Sequence, residues 1–216
     1  MIEFNDVTAT YKENIGIFNI TFKIEPGEMV FLMGPTGAGK STVLKAIYSA
    51  IDINKGDITI DGHSILSLSR YQIPLIRQKI GMIFQDYKLL NNRTVLENVA
   101  LPLRILGLPS SEIYKKVDET LSKVGLNDLY HSCPLELSGG EQQRVCIARA
   151  LVKNPKIILA DEPTGNLDPN VSDEILDLLD LFTENGTAVL MSTHNFPLIK
   201  PRKKRFIELS NGRIID

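Results

Sequence analysis

A chain of 216 residues, 43% hydrophobic and 23% charged, is long enough to bury a sizeable core as one domain carrying a subdomain. A formal net charge of −2 argues against dedicated nucleic-acid binding, which needs a net basic surface. The two cysteines, Cys133 and Cys146, lie outside any metal-ligand spacing and read as reduced thiols. No basic segment followed by an apolar run opens the chain, so no signal peptide is expected. No stretch approaches the roughly 20 apolar residues that span a bilayer. The nearest, Val99 to Leu108, is broken by Pro102, Arg104 and Gly107. The chain is expected to be soluble by itself, with any membrane role coming through a partner.

Strand signals come first, at Ile2-Glu3-Phe4 and, with alternating polarity, at Ile20 to Ile24. Met29 to Met33 is continuously apolar, as in a strand buried on both faces. A glycine-rich loop follows, then a helix from Ser41 to about Ala50. Ile58-Thr59-Ile60 before Asp61-Gly62 predicts a strand entering a tight hairpin turn. Residues 88–140 read as a helical insertion: Thr94 with Glu97 can cap one helix, Ser111 another running to Lys123, and Gly125 ends it. From Lys156 the strand–helix alternation returns, with a strand at Ile157 to Ala160, a helix from about Asn170 to Thr183 and a strand at Ala188 to Ser192. Such alternation predicts a mainly parallel sheet flanked by helices. Arg205 to Leu209 and Arg213 to Ile215 form a last hairpin around Asn211-Gly212.

Gly34-Pro35-Thr36-Gly37-Ala38-Gly39-Lys40-Ser41 fits G-x-x-x-x-G-K-[ST] without a mismatch, and Thr42 continues the helix it opens. Glycines let backbone N–H groups curl around a phosphate, and the helix N-terminus adds donors and a favourable dipole. Lys40 would reach the β- and γ-phosphates, and the Ser41 hydroxyl is placed for Mg²⁺. Asp161 and Glu162 emerge at the C-terminal end of an apolar strand, where open α/β sheets place ligands. There Asp161 would hold Mg²⁺ and Glu162 would polarise the attacking water. This much fixes only nucleotide binding, since kinases, GTPases, helicases and transporters share it.

Leu137-Ser138-Gly139-Gly140-Glu141-Gln142-Gln143-Arg144 narrows the choice. It is a second anion site, a serine and two glycines opening a helix, and it resembles the signature of the ABC ATPases. One subunit has no obvious use for two phosphate-binding helix ends far apart in sequence, whereas two antiparallel subunits do. The resemblance covers essentially the whole chain. It implies an α/β fold: a P-loop NTPase core with a mainly parallel sheet, an N-terminal antiparallel β subdomain and a helical signature subdomain. The division expected is 1–87 with 141–216 as core and 88–140 as helical subdomain.

By the same resemblance, Tyr11 stacks on adenine, Gln85 meets Mg²⁺ or water, Asp168 closes the loop Gly165-Asn166-Leu167-Asp168, and His194 contacts the γ-phosphate. Asn195 departs from the Asp that commonly follows that histidine. Implied cofactors are ATP and Mg²⁺. Implied partners are a second copy of the chain and an integral membrane subunit at the cytoplasmic face of a bacterial membrane; no nucleic acid is expected. Within the family, Gln78 to Asp86, Leu89-Leu90, Arg93-Thr94-Val95, Glu97-Asn98-Val99 and Pro102-Leu103 resemble the cell-division ATPases most. Lipoprotein-release and macrolide-export ATPases share Asp161 to Asp168 and stay open as alternatives. A soluble ATPase acting on DNA or ribosomes is the alternative of another class, disfavoured by the compact insertion and the single cassette. No appended regulatory domain is expected. The segment Asp86 to Leu108 is expected to present apolar anchors to the membrane partner, with Tyr87 and Leu90 exposed. The run Lys200, Arg202, Lys203, Lys204, Arg205 reads as a solvated face, with lipid headgroups as its alternative contact.

Overall fold

The computed structural model describes residues 1–13 and 15–215. In chain order these form β1 (Ile2–Lys12), β2 (Ile15–Ile24), β3 (Met29–Met33), α1 (Lys40–Ile47), β4 (Lys55–Ile60), β5 (His63–Ser64), α2 (Ile73–Gln78) and β6 (Ile80–Ile83). Then follow α3 (Val95–Ile105), α4 (Ser110–Lys123), α5 (Gly139–Leu151), β7 (Ile157–Asp161), α6 (Pro169–Glu184), β8 (Ala188–Thr193), α7 (Phe196–Ile199), β9 (Arg205–Ser210) and β10 (Arg213–Ile215). No helix among the described residues is long and apolar enough to cross a membrane.

Two sheets carry the fold. One is antiparallel, in the order β2-β1-β4-β5; the other runs β10-β9-β3-β8-β7-β6, parallel except where the final hairpin pairs β9 with β10. The central strands are apolar on both sides because both sides are covered. Ile157 and Leu159 of β7 point into a core shared with α1 and the antiparallel sheet. Ile158 and Ala160 point the other way, into a core continuous with α3, α4, α5 and α6. The helical segment therefore shares its apolar cluster with one face of the central sheet. This layering leaves the C-terminal ends of β3, β7 and β8 open together at one edge.

Both predicted hairpin turns form with consecutive left-handed residues, Asp61 and Gly62 at φ 53° and 78°, Asn211 and Gly212 at 47° and 74°. Thr94 accepts from the Glu97 N–H while the Glu97 carboxylate accepts from the Thr94 N–H, a reciprocal cap on α3. Four readings need correction. β1 and β2 extend well beyond the predicted cores, because register shifts in their pairing break the simple alternation. α1 ends at Ile47 rather than near Ala50, with Ser49 left-handed at φ 53°. α4 starts at Ser110 behind Pro109, so Ser111 lies inside the helix instead of capping it. α2 and β6 lay outside the predicted set. α2 has only 6 residues with Pro74 at its start, and β6 contains Gly81, whose added Cβ would lie 2.8 Å from the Ala150 carbonyl oxygen of α5.

Candidate nucleotide site

At the open edge, β3 leads into the phosphate loop. Gly34 cannot be replaced there: its φ is 146° and an added Cβ would meet the Leu209 carbonyl at 2.3 Å. The loop folds back over Lys40, which is buried and bonds Gly34 O at 2.7 Å and Pro35 O at 3.2 Å. Its third interaction is an ion pair with Glu162 Oε1 at 3.4 Å. A bound phosphate would compete with these oxygens for the Lys40 ammonium.

β7 delivers the carboxylates. Asp161 Oδ1 accepts from Ser41 Oγ at 3.1 Å and from Ser192 Oγ at 2.6 Å; Oδ2 takes part in neither bond. Glu162 adopts φ 44°, a left-handed backbone that costs a non-glycine residue about 1–3 kcal/mol and clusters at functional sites. The turn directs its N–H to Ser192, main chain at 3.2 Å and hydroxyl at 3.1 Å. It leaves the carboxylate between Lys40 and His194, whose Nδ1 lies 3.0 Å from Glu162 Oε2. Ser192 escaped the sequence reading. The available signal was a hydroxyl at the end of the otherwise apolar run Ala188 to Met191.

Thr36, Gly37, Gly39, Lys40, Ser41, Thr42, Gln85 and Glu162 wall one cleft of about 360 Å³, joined by Ile15 and Gly16. Gly34, Pro35, Ala38 and Asp161 are not in its wall: Pro35 is exposed, and Ala38 is buried with its carbonyl accepting from the Gly212 N–H at 2.9 Å. His194 stands on the far side of Glu162, in a smaller cavity of about 90 Å³ with Thr164, Gly165 and Thr193. Gln85 Nε2 and Glu162 Oε2 approach the same point beside Gly165, 3.8 and 3.7 Å from where its Cβ would lie. Ser41 hydroxyl, Asp161 carboxylate and the Gln85 side-chain carbonyl are hard oxygen donors, a set that suits Mg²⁺.

Other predicted residues lie apart from the cleft. Tyr11 is half exposed at the end of β1, with the Lys45 ammonium 5.6 Å from its ring centre. Ser138, Gly139 and Gly140 sit at the start of α5, where Tyr87, Leu167 and Val171 pack against the glycines. Ser138 and Glu141 cap that helix reciprocally, and the Ser138 hydroxyl with its N–H holds the Glu141 carboxyl below its usual range. Asp168 caps α6, accepting from Asn170 N at 3.0 Å and Val171 N at 3.1 Å.

One surface reading changes. Tyr87 is half-buried and packed on the helical core, unlike Leu90, which is exposed as expected. The basic run is solvated as expected, with Lys200, Lys203, Lys204 and Arg205 exposed; Arg202 is half-buried and engages Asp173, Asp177 and Asp180, Lys204 pairs with Asp180, and Arg205 pairs with Glu28.

The family pattern described as ABC transporter matches residues 17–165. The cell division ATP-binding protein FtsE of Escherichia coli is 47% identical over 215 residues, covering 99% of this chain and 97% of that protein. FtsE of Streptococcus pneumoniae is 42% identical over 216 residues, 100% of this chain and 94% of its own. Among solved structures, the dimeric bacterial ABC transporter cassette MJ0796 superposes with a TM-score of 0.90 at 38% identity, covering 100% of this chain and 97% of that one. The same cassette in a post-hydrolysis dimer bound to ADP and Pi gives 0.89 at 37% identity, with the same coverage.

Proposed function

The chain belongs to the ABC transporter family as an ATP-hydrolysing cassette, and from that premise we propose that it drives a separate membrane subunit of FtsX type in bacterial cell division. The observation that carries the reading is the separation of the two anion-binding helix ends. The α1 end is complete with lysine, carboxylates and histidine, while Ser138 to Gly140 faces none of them. A second copy, antiparallel to the first, brings its signature over the first copy's phosphates. Full-length identity to FtsE proteins, with both chains covered almost end to end, selects the division role.

In that dimer Lys40 carries the β- and γ-phosphates, and Glu162, freed from Lys40, orients water for attack on the γ-phosphorus. His194 steadies Glu162 and the γ-phosphate. Ser41, Asp161 and Gln85 would hold Mg²⁺, which would neutralise charge building on the phosphates. Asp168 and Tyr11 contribute to the interface and the adenine.

The membrane subunit is expected to dock in an apolar cleft of about 290 Å³ formed by Tyr48, Pro74, Leu101 and Ile105, rimmed by Arg77 and Lys153. Burial holds the Lys153 ammonium down at about 8, still charged at neutral pH, so an acidic side chain on an incoming helix would find a cation at the rim. Ile105 is 76% exposed, and Ile105→Arg should reduce recruitment to membranes about tenfold or more, the loss of one buried anchor, without changing ATP affinity. Unchanged recruitment refutes this surface. For the division role, depletion in the source organism should give chained or filamentous cells with lipoprotein export intact; normal division with failed export refutes it.

A further inference from the structure

α5 begins at the signature, and its spacing places Gly139, Gln143, Cys146 and Arg149 along one face, three or four residues apart. That face meets the segment immediately after Gln85. The Tyr87 hydroxyl lies 3.3 Å from where a Cβ on Gly139 would sit. The Tyr87 carbonyl accepts from Cys146 Sγ at 2.8 Å and from Arg149 Nη2 at 2.7 Å, and the Lys88 carbonyl accepts from Arg149 Nη1 at 2.6 Å. Arg149 has no carboxylate partner among the described residues, so its fork is given to these two main-chain carbonyls. Cys146 is buried, which pushes its thiol up to about 12, and it remains a proton donor.

The turn held in this way is strained. Tyr87 and Lys88 are consecutive non-glycine residues at φ 60° and 51°, and the Lys88 N–H turns back to Asp86 O at 2.5 Å. Such a conformation persists only where its surroundings over-determine it. Gln85 lies two residues upstream, in the wall of the phosphate cleft. Nothing about the chemistry of hydrolysis requires Arg149 or Cys146, which touch neither the cleft nor its lining. Gln143, between Gly139 and Cys146 on the same face, is fully buried with both amide atoms unpartnered among the described residues.

We propose that Arg149, assisted by Cys146, is a positioning residue that locks the loop carrying Gln85 to the signature helix, so that a nucleotide engaging Gln85 on one side moves Ser138 of the same chain on the other. The inference rests on the reading of Gln85 as a Mg²⁺ or water ligand. In a dimer, the lock joins the two composite sites through a single chain: Gln85 serves one site and Ser138 the other.

A double-mutant cycle tests it on the full-length chain, with steady-state ATPase and melting temperature measured for each variant. Gln85→Ala alone should lower kcat; if it turns over normally, the underlying reading of Gln85 fails. Arg149→Ala should lower kcat about tenfold with KM for ATP within about threefold, and Arg149→Lys, which can reach one carbonyl, should recover part of the loss. The double variant Gln85→Ala, Arg149→Ala should be no slower than Gln85→Ala alone, because the arginine acts through the glutamine. If the two losses multiply while Gln85→Ala is impaired, Arg149 is a structural residue and the lock is overturned. Should Arg149→Ala fail to fold, Cys146→Ala carries the same cycle, with a smaller loss that must also vanish on the Gln85→Ala background.

Discussion

At the start of α1 the phosphate loop is folded round its own lysine, and Asp161, Glu162, Ser192 and His194 are already bonded into one network behind it. At the start of α5 another helix N-terminus opens, capped reciprocally by Ser138 and Glu141, and the described residues against its glycines are Tyr87, Leu167 and Val171, none of them proposed for catalysis. On the proposed reading the first end supplies the chemistry, and the second, from another copy, supplies its cover. Two helix N-termini with the same electrostatics thus differ in what surrounds them, and that difference makes the functional unit larger than one chain.

The largest expected effect falls on the first end. Glu162→Gln keeps the size of the side chain and the ATP cleft but removes the charge that orients water. It should lower kcat by on the order of 10²–10⁴ while ATP binding persists and an ATP-bound dimer accumulates. Stopped-flow phosphate release and gel filtration check the two halves of that outcome. Near-normal turnover would mean that the preassembled network is not the catalytic one.

A smaller effect separates site assembly from simple folding. Asp61, in the β4–β5 turn, bonds Lys156 at 2.8 Å and Lys79 at 3.0 Å, which tie the antiparallel sheet to the parallel one and hold its carboxyl down at about 2. Because the folded value lies below the ordinary 3.8, the stabilisation is complete above about pH 4 and is lost as pH falls toward 2. Asp61→Asn should cost on the order of 1–2 kcal/mol at pH 7, and next to nothing at pH 2, with kcat at neutral pH unchanged. A loss of stability that is the same at both pH values would remove the charge explanation.

Much of this contrast is legible in the amino-acid order. The phosphate loop and the Asp161-Glu162 pair are contiguous motifs whose geometry follows from one strand, one turn and one helix. The hairpins at Asp61-Gly62 and Asn211-Gly212 and the Thr94–Glu97 cap are likewise local. What escaped depends on contacts distant in sequence. β6 is short, and its glycine reflects the close approach of α5, 69 residues later at Ala150. Ser192 becomes part of the site only because β8 lies beside β7 in register, Asp161 opposite Ser192. Tyr87 reads as exposed in a polar loop, but Arg149 and Cys146, about 60 residues on, fold its turn against the helical core. The basic run shows only its charge; that Arg202 and Lys204 meet the acidic row of α6 becomes apparent only in the packed fold.

The comparison between the two helix ends is tested most directly by dividing the damage between two chains. Lys40→Ala removes the phosphate lysine, and Ser138→Arg blocks the signature, so each variant alone should neither dimerise with ATP nor hydrolyse it. A mixed dimer keeps one complete site, built from Lys40 of one chain and Ser138 of the other. An equimolar mixture of the two folded variants should therefore regain up to about half of wild-type ATPase, since only mixed dimers form and each has one intact site of two. An activity no greater than that of the separate variants, with both melting like the wild type, would contradict the account.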